Sequence, residues 1–260
     1  MLSPRIIPCL LIHNNGLVKT VQFKDAKYVG DPINAVKIFN EKEVDEIVVL
    51  DIDASVNNRE PDYALIEKLA LECRMPLCYG GGIKNTEQAS RIFSLGVEKV
   101  AISSAAVQNP SLIKELAESV GNQSVVVVLD VRKKQFSSKY EVYIHNGKHP
   151  TGKEVTMLAK ELESFGVGEF VLNDIDNDGK MQGYNWDLIR IIRDVIDVPM
   201  TVFGGAGTYD HLKELISNHG IIGAGAGSLF VFKGKFRAVL INYPSIEEKK
   251  KIFQNIQKQQ

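Results

Sequence analysis

Two stretches of this chain repeat each other. EIVVLDIDAS at 46–55 returns as EFVLNDIDND at 169–178, and YGGGIKNTEQ at 79–88 returns as FGGAGTYDHL at 203–212. Asp51 to Asp174 and Gly81 to Gly204 both span an offset of 123 positions. Two separate motifs at one offset imply a duplicated chain, each copy supplying half of one fold. The segments between the motifs narrow the choice. Short apolar, β-branched runs at 5–12, 46–51, 76–80, 98–102, 124–130, 169–174, 199–203 and 220–225 alternate with amphipathic stretches. Strands separated by helices form a parallel sheet. Eight such units without a linker, in 260 residues, close as one α/β domain, a (β/α)8 TIM barrel of two repeated (βα)4 halves. The usual size of that fold is about 250 residues. The expected domain is a single barrel over 1–260, its halves joined near residue 120.

Helix starts carry readable chemistry. Asp31-Pro32 and Asn109-Pro110 each place a side-chain acceptor at an N-cap and a proline at the first helical position. Asn85 and Gln88 have capping-box spacing, and Ala89, Ile92 and Phe93 then form an apolar face. Two segments break the alternation. Residues 13–30 are expected as a long mobile loop carrying Lys19, and FSSKYEVYIHNG within 133–150 alternates like a hairpin beside the barrel mouth. Long excursions in a compact domain tend to serve its site. EEKKKIFQNIQKQQ reads as a solvated amphipathic last helix with a frayed end.

Charge and cysteines exclude several function classes. Lys and Arg number 31 against 32 Asp and Glu, a net charge of −1, so no global field draws nucleic acid or an anionic membrane. Cys9, Cys73 and Cys78 lack CxxC spacing and fit a reduced, cytoplasmic protein. The first apolar run is interrupted by Pro8 and is too short for a signal peptide or a spanning helix. The histidines show neither HExxH nor Cys/His ligand spacing, so neither a metal nor another cofactor is expected.

The glycines mark the first candidate site. GGGI at 80–83 and GGAG at 204–207 each end a strand and precede a helix, where backbone N–H groups can approach an anion. Ser103-Ser104 and Gly227-Ser228 follow the next strand in each half. A single glycine pair would mark only a tight turn. Twin sets at matching places predict two phosphate cradles at the C-terminal face: Gly81, Gly82, Ser103 and Ser104, then Gly204, Gly205, Gly227 and Ser228. A ligand with two phosphates fits that symmetry.

Carboxylates and lysine follow. Asp51, Asp130, Asp174, Asp176 and Asp178 all lie at or beyond strand ends, where most aspartates cap loops. Asp130 closes the apolar run SVVVVLD, so desolvation should raise its pKa, making it the candidate general acid or base. Its counterpart in the first half is Leu11, at the end of RIIPCLLI. Asp178-Gly179 is expected to orient the second phosphate loop, and Lys19 to clamp a phosphate from its own loop. At the opposite end, Arg5, Glu46, Lys99 and Glu169 stand at strand starts. Pointing inward, they would form a neutral ring across the barrel floor, tolerable only if mutually paired. Such a ring reads as a gate on the axis.

RIIPCL, GDP (30–32), YGGGI, SSAAVQNP (103–110), DGKMQGY (178–184) and FGGAG, spread over nearly the whole chain, resemble the cyclase subunit of imidazole glycerol phosphate synthase, the HisF family. A related phosphoribosyl isomerase shares the duplicated barrel, but Lys19 and the four-charge floor look more like the cyclase. The resemblance implies a heterodimer in which a HisH-like glutaminase docks on the floor and sends ammonia past Arg5, Glu46, Lys99 and Glu169. It implies a bisphosphate substrate at the mouth, on the glycine and serine positions above with Asp178, and Asp130 as one acid/base residue. Leu11 departs from the pattern. The family carries an aspartate there, and cyclisation uses both carboxylates; losing a positioned acid or base typically costs ~10²–10⁴ in rate. IIPCLLIHNNGLVKTVQFKDAKYVGDPINAV looks most like a branch linked to acetamidino modification of bacterial surface sugars. In that branch a cyclase-like barrel and a glutaminase-like partner feed ammonia to a sugar amidotransferase. The resemblance thus implies an ammonia-using synthase subunit of lyase or amidotransferase type. Its alternatives are a true histidine-pathway cyclase and a non-catalytic activator of a glutaminase.

Overall fold

Parallel pairing alone closes eight strands into a ring. The computed structural model describes residues 3–254. Its ring strands are β1 (Arg5–His13), β2 (Ile47–Asp51), β3 (Leu77–Gly80), β4 (Lys99–Ile102), β5 (Val125–Lys133), β6 (Glu169–Asp174), β7 (Met200–Phe203) and β8 (Gly223–Ala226). Each pairs in parallel with the next, and β8 returns to β1. The fold is a (β/α)8 barrel. The last strand starts later than the sequence indicated, because Gly220 at φ +66 ends the preceding helix Tyr209–His219.

Side-chain alternation separates two cores. Ile7, Cys9, Val48, Cys78, Ala101, Val126, Val128, Val171 and Phe203 fill the barrel interior, with Leu11 and Leu50 packed on them. Ile6, Leu10 and Ile12, the intervening residues of β1, pack outward with the helical layer. A period of two in each strand produces this split. Phe203 fills the interior beside the neighbouring β8, where a Cβ on Gly225 would come within 2.4 Å of its ring.

Helix caps show where local chemistry decides. Asp31 accepts from Asn34 N at 2.8 Å with Pro32 opening the helix Pro32–Glu41. Asn85 accepts from Gln88 N at 2.9 Å, while the Gln88 side chain accepts from Lys84 N and not from the cap itself. Asn109 does not cap the next helix. Its N–H closes the short helix Ser104–Gln108 on Ala105 O, its side chain accepts from the Ser111 hydroxyl at 2.7 Å, and the following helix begins at Ser111.

Both excursions are antiparallel sheet extensions of the ring. Residues 13–30 are not a loop: Gly16–Val21 pairs with the end of β1 and with Lys24–Gly30. The turns Asn14-Asn15 and Gln22-Phe23 have positive φ throughout, +48, +61, +52 and +63, as two-residue hairpin turns of the primed type require. Gln-Phe is an unusual pair for such a turn, which hid the hairpin in the sequence. In the second half, the end of β5 pairs with Tyr140–Ile144, which pairs with His149–Glu154. The duplication thus extends to the excursions, since Leu11 and Asp130 each begin the stretch where a barrel strand, still paired in the ring on one side, takes a hairpin on the other. The helix Ile246–Phe253 carries a full Ser245–Glu248 capping box; the frayed end expected beyond it lies outside the described residues. Among the described residues, no helix is long and apolar enough to cross a membrane.

Candidate functional site

The C-terminal ends of the strands surround one cavity of about 1230 Å³, including the solvent at its open end. Both glycine–serine sets, Lys19, Asp51, Asp130, Asp178 and Gly179 line it, whereas Asp174 and Asp176 do not. The floor ring lies at the opposite end of the same axis.

Asp130 is the mouth carboxylate with the most perturbed proton affinity. Burial pushes it up to about 7, Asn173 and Ser103 hydrogen bonds hold it down, and Asp178 adds to the rise. Asn173 Nδ2 donates to one carboxylate oxygen at 3.0 Å and Ser103 Oγ to the other at 3.3 Å. Asn173 stands directly beside Asp130 in the β5–β6 register. Opposite, Leu11 stands beside Leu50 on β1 and β2. A carboxyl group near neutrality can take or give a proton at physiological pH.

Lys19 is held by structure, not carried on a mobile loop. It lies 5% exposed on the hairpin strand and donates to Cys9 O. Burial lowers its pKa, with Cys9 and Asp178 acting in the other direction. Its ammonium lies against Gly227, where a Cβ would come within 2.7 Å of Nζ. Asp178 accepts from the Thr20 hydroxyl at 2.9 Å, and its carbonyl accepts from Gln22 N at 2.9 Å. The carboxylate therefore fastens the hairpin to the loop after β6, whereas the sequence reading had it orienting a phosphate loop. Gly179, at φ +72, must lack a side chain because Thr20 O would lie 2.2 Å from a Cβ.

The glycine turns have packing reasons of their own. A Cβ on Gly81 or Gly204 would meet Asp51 O or Asp174 O at 2.6 Å in both halves. Asp51 and Asp174 are themselves loop anchors: Asp51 accepts from Asp53 N at 2.9 Å, Asp174 from Asp176 N at 3.0 Å. Ser103 and Ser104 face different partners. Ser103 reaches Asp130, while the Ser104 hydroxyl accepts from His145 N at 3.0 Å. Ser228 is buried at the start of the short helix Ser228–Val231.

At the floor, Arg5, Glu46, Lys99 and Glu169 do point inward and pair. Arg5 donates to Glu169 at 2.7 Å and also binds Glu46; Lys99 lies 2.9 Å from each carboxylate. Burial raises the Glu169 carboxyl pKa, but Arg5 and Lys99 outweigh it and hold the group well below its ordinary range. Lys99 goes up: burial opposes its charge, and the two glutamates more than offset that. Thr201 Oγ1 donates to Glu169 at 2.6 Å. The motifs expose no sign of these roles for Thr201, Asn173 or Thr20. Position along β6 was the available signal for Asn173, because Glu169, Val171 and Asn173 alternate on the inner face.

Fold and site define the class: a duplicated (β/α)8 barrel with its polar side chains gathered at the C-terminal mouth above a paired charged floor. The family described as Histidine biosynthesis protein matches residues 5–237. The chain belongs to that family, among its HisF-type proteins. A Leptospira borgpetersenii protein, provisionally named imidazole glycerol phosphate synthase subunit HisF, is 57% identical over 253 residues, covering 97% of this chain and 100% of its own. A Vibrio vulnificus protein, provisionally named subunit hisF3, is 57% identical over 251 residues, 96% of each chain. One from Pseudomonas aeruginosa, provisionally named subunit hisF2, is 51% identical over 248 residues, 95% of this chain and 98% of its own.

Proposed function

We propose that this HisF-type barrel is the synthase subunit of a glutamine-dependent amidotransferase that makes an acetamidino group on a bacterial surface sugar. A HisH-like glutaminase docks on the floor, ammonia passes the ring of Arg5, Glu46, Lys99 and Glu169, and a phosphorylated ligand sits among the glycine turns of the mouth. Lys19 supplies positive charge beside Gly227 on the second set. A sugar amidotransferase is the further partner of the complex. The reading places the protein in the cytoplasm, where glutamine and reduced thiols are available.

One observation carries the departure from ring closure: Leu11 stands beside Leu50 on the mouth wall, where an acid/base pair would need its second carboxylate. Asp51 and Asp178, the other carboxylates lining the cavity, are engaged by loop and hairpin donors. The relatives' names favour a second reading, a true cyclase of imidazole glycerol phosphate synthase. Complementation of a histidine auxotroph lacking its cyclase separates the two. Wild type is expected to fail, and growth at a normal rate would overturn the amidination reading. Leu11→Asp is the companion variant, expected to restore little because the rest of the mouth serves another ligand.

A further inference from the structure

The inner face of β6 presents Glu169 to the floor ring, Val171 to the apolar interior and Asn173 to the mouth. On β5, Val126 and Val128 lie in the same interior layer and Asp130 follows at the mouth. A small molecule moving up the axis therefore meets charge, then an apolar layer, and then Asp130 and Asn173 side by side. The Asn173 amide splits its functions. Its Nδ2 donates to Asp130 Oδ1 at 3.0 Å, while its Oδ1 is buried and has no hydrogen-bond partner among the described residues. A buried acceptor of that kind needs a donor.

We propose that Asn173 positions Asp130 and receives the nitrogen nucleophile, its Nδ2 holding the carboxylate and its Oδ1 accepting an N–H of ammonia. This rests on the ammonia reading above. Two acceptors on adjacent strands take two N–H groups of one ammonia molecule and leave its lone pair free to face the ligand in the mouth. Asp130 is then placed to take the proton released when that nitrogen attacks. The other titratable groups lining the cavity are Cys9, Lys19, Asp51 and Asp178. Asp178 raises the Asp130 pKa, while Asn173 and Ser103 lower it. Asn173 thus acts on Asp130 in a measurable direction.

Two measurements on the isolated barrel test the assignment. Ammonium chloride at alkaline pH should shift the Asn173 side-chain amide signals saturably in NMR spectra, and sodium chloride should leave them in place. The signals are assigned by their loss in Asn173→Thr. Carbon-detected titration of Asp130 should show its midpoint rising by about one pH unit in Asn173→Val, the order expected for losing one hydrogen bond to a charged acceptor. Asn173→Thr, whose hydroxyl can still donate, should keep the midpoint near wild type. If Asn173→Val does not fold, the wild-type ammonium titration still decides. Amide signals indifferent to ammonium, or an Asp130 midpoint unmoved in Asn173→Val, overturn the proposal. Neither measurement uses a glutaminase or an acceptor. Growth in the complementation experiment would therefore change the acceptor and leave this nitrogen site standing, and failure here removes the site whatever the acceptor is.

Discussion

The floor ring sets the most exacting test, Glu169→Gln. Glu169 is 5% exposed and accepts from Arg5, Lys99 and Thr201 at 2.7, 2.9 and 2.6 Å. Glutamine keeps the shape and leaves two cations facing Glu46 alone. Breaking a buried ion pair from one side costs about 3–5 kcal/mol. The Arg5 and Lys99 side chains are 24% and 19% exposed, so water relieves part of the excess charge and the expected loss is about 3 kcal/mol. Urea unfolding followed by circular dichroism should show the midpoint falling by about 1 M or more. Glu169→Gln combined with Lys99→Met returns the floor to one cation and one anion, so the double variant should recover stability relative to the single. The acid limb gives a second reading. Because the folded-state pKa of Glu169 lies below its unfolded value of about 4.3, its contribution is complete above that pH. It disappears as pH falls toward the folded value. Glu169→Gln should lack this segment of acid sensitivity. A loss below about 1 kcal/mol, the level of an exposed pair, or a double variant no better than the single, would refute the picture of a mutually dependent ring.

Other expectations are narrower. Gly205→Ala forces a Cβ to 2.0 Å from Gly183 O at φ +110; it should destabilise by about 3 kcal/mol or more, read as a lowered thermal midpoint. Thr20→Val removes the hydroxyl donor to Asp178 and should cost about 1–3 kcal/mol of local stability, seen as faster amide exchange across 16–30. Asp130→Asn should gain stability relative to wild type as pH rises from ~4 to ~7, because the native carboxyl, at about 7, holds its proton more tightly than the unfolded chain does. Partial exposure of Asp130 through the mouth limits that gain to about 1–3 kcal/mol, and urea unfolding at the two pH extremes reads it. Glu46→Ala, in complex with the proposed glutaminase, should leave glutamine hydrolysis running while glutamine-dependent product formation falls and free ammonium at high pH partly restores it. Wild-type coupling in that variant, or no glutaminase binding at all, would remove the channel.

Periodicity made most of the barrel legible. The apolar runs locate six of the strands within one residue, because a buried parallel strand leaves little room for polar residues; the fifth runs on to Lys133, where it pairs with the hairpin beside the mouth. Gly220 shifted the eighth by ending a helix where the sequence alone looked like strand. The excursions were harder. The second betrays itself through alternation in YEVYI, whereas the first turns on Gln22-Phe23, residues with no turn preference, at positive φ where Gln22 donates from its backbone to Asp178 O and from its side chain to Asp176 O. Asp178 shows a different limit. Its sequence neighbourhood points to the second phosphate loop, and only the fold brings Thr20, 158 positions away, to its carboxylate. Asn173 was half legible: the alternation Glu169, Val171, Asn173 signals its inward direction, but only the register with Asp130 reveals its partner.

Leu11 also changes what governs the proton at the mouth. Where two carboxylates face each other, each raises the other's pKa and they titrate as a pair. Here the neighbouring inner-wall side chains of β1 and β2 are Leu11 and Leu50, and desolvation is the largest influence on Asp130. Burial therefore contributes most to holding the Asp130 carboxyl at about 7, with a smaller contribution from Asp178 and no facing carboxylate at position 11. Such a group can receive the proton that an attacking nitrogen releases, but it cannot at the same moment donate one elsewhere on the substrate. Ring closure asks for both transfers, whereas adding ammonia to an activated carbon can proceed with one. On the proposed amidination reading, the paired floor and the glycine turns serve nitrogen delivery to the mouth, and the single carboxyl suffices because that reaction closes no ring.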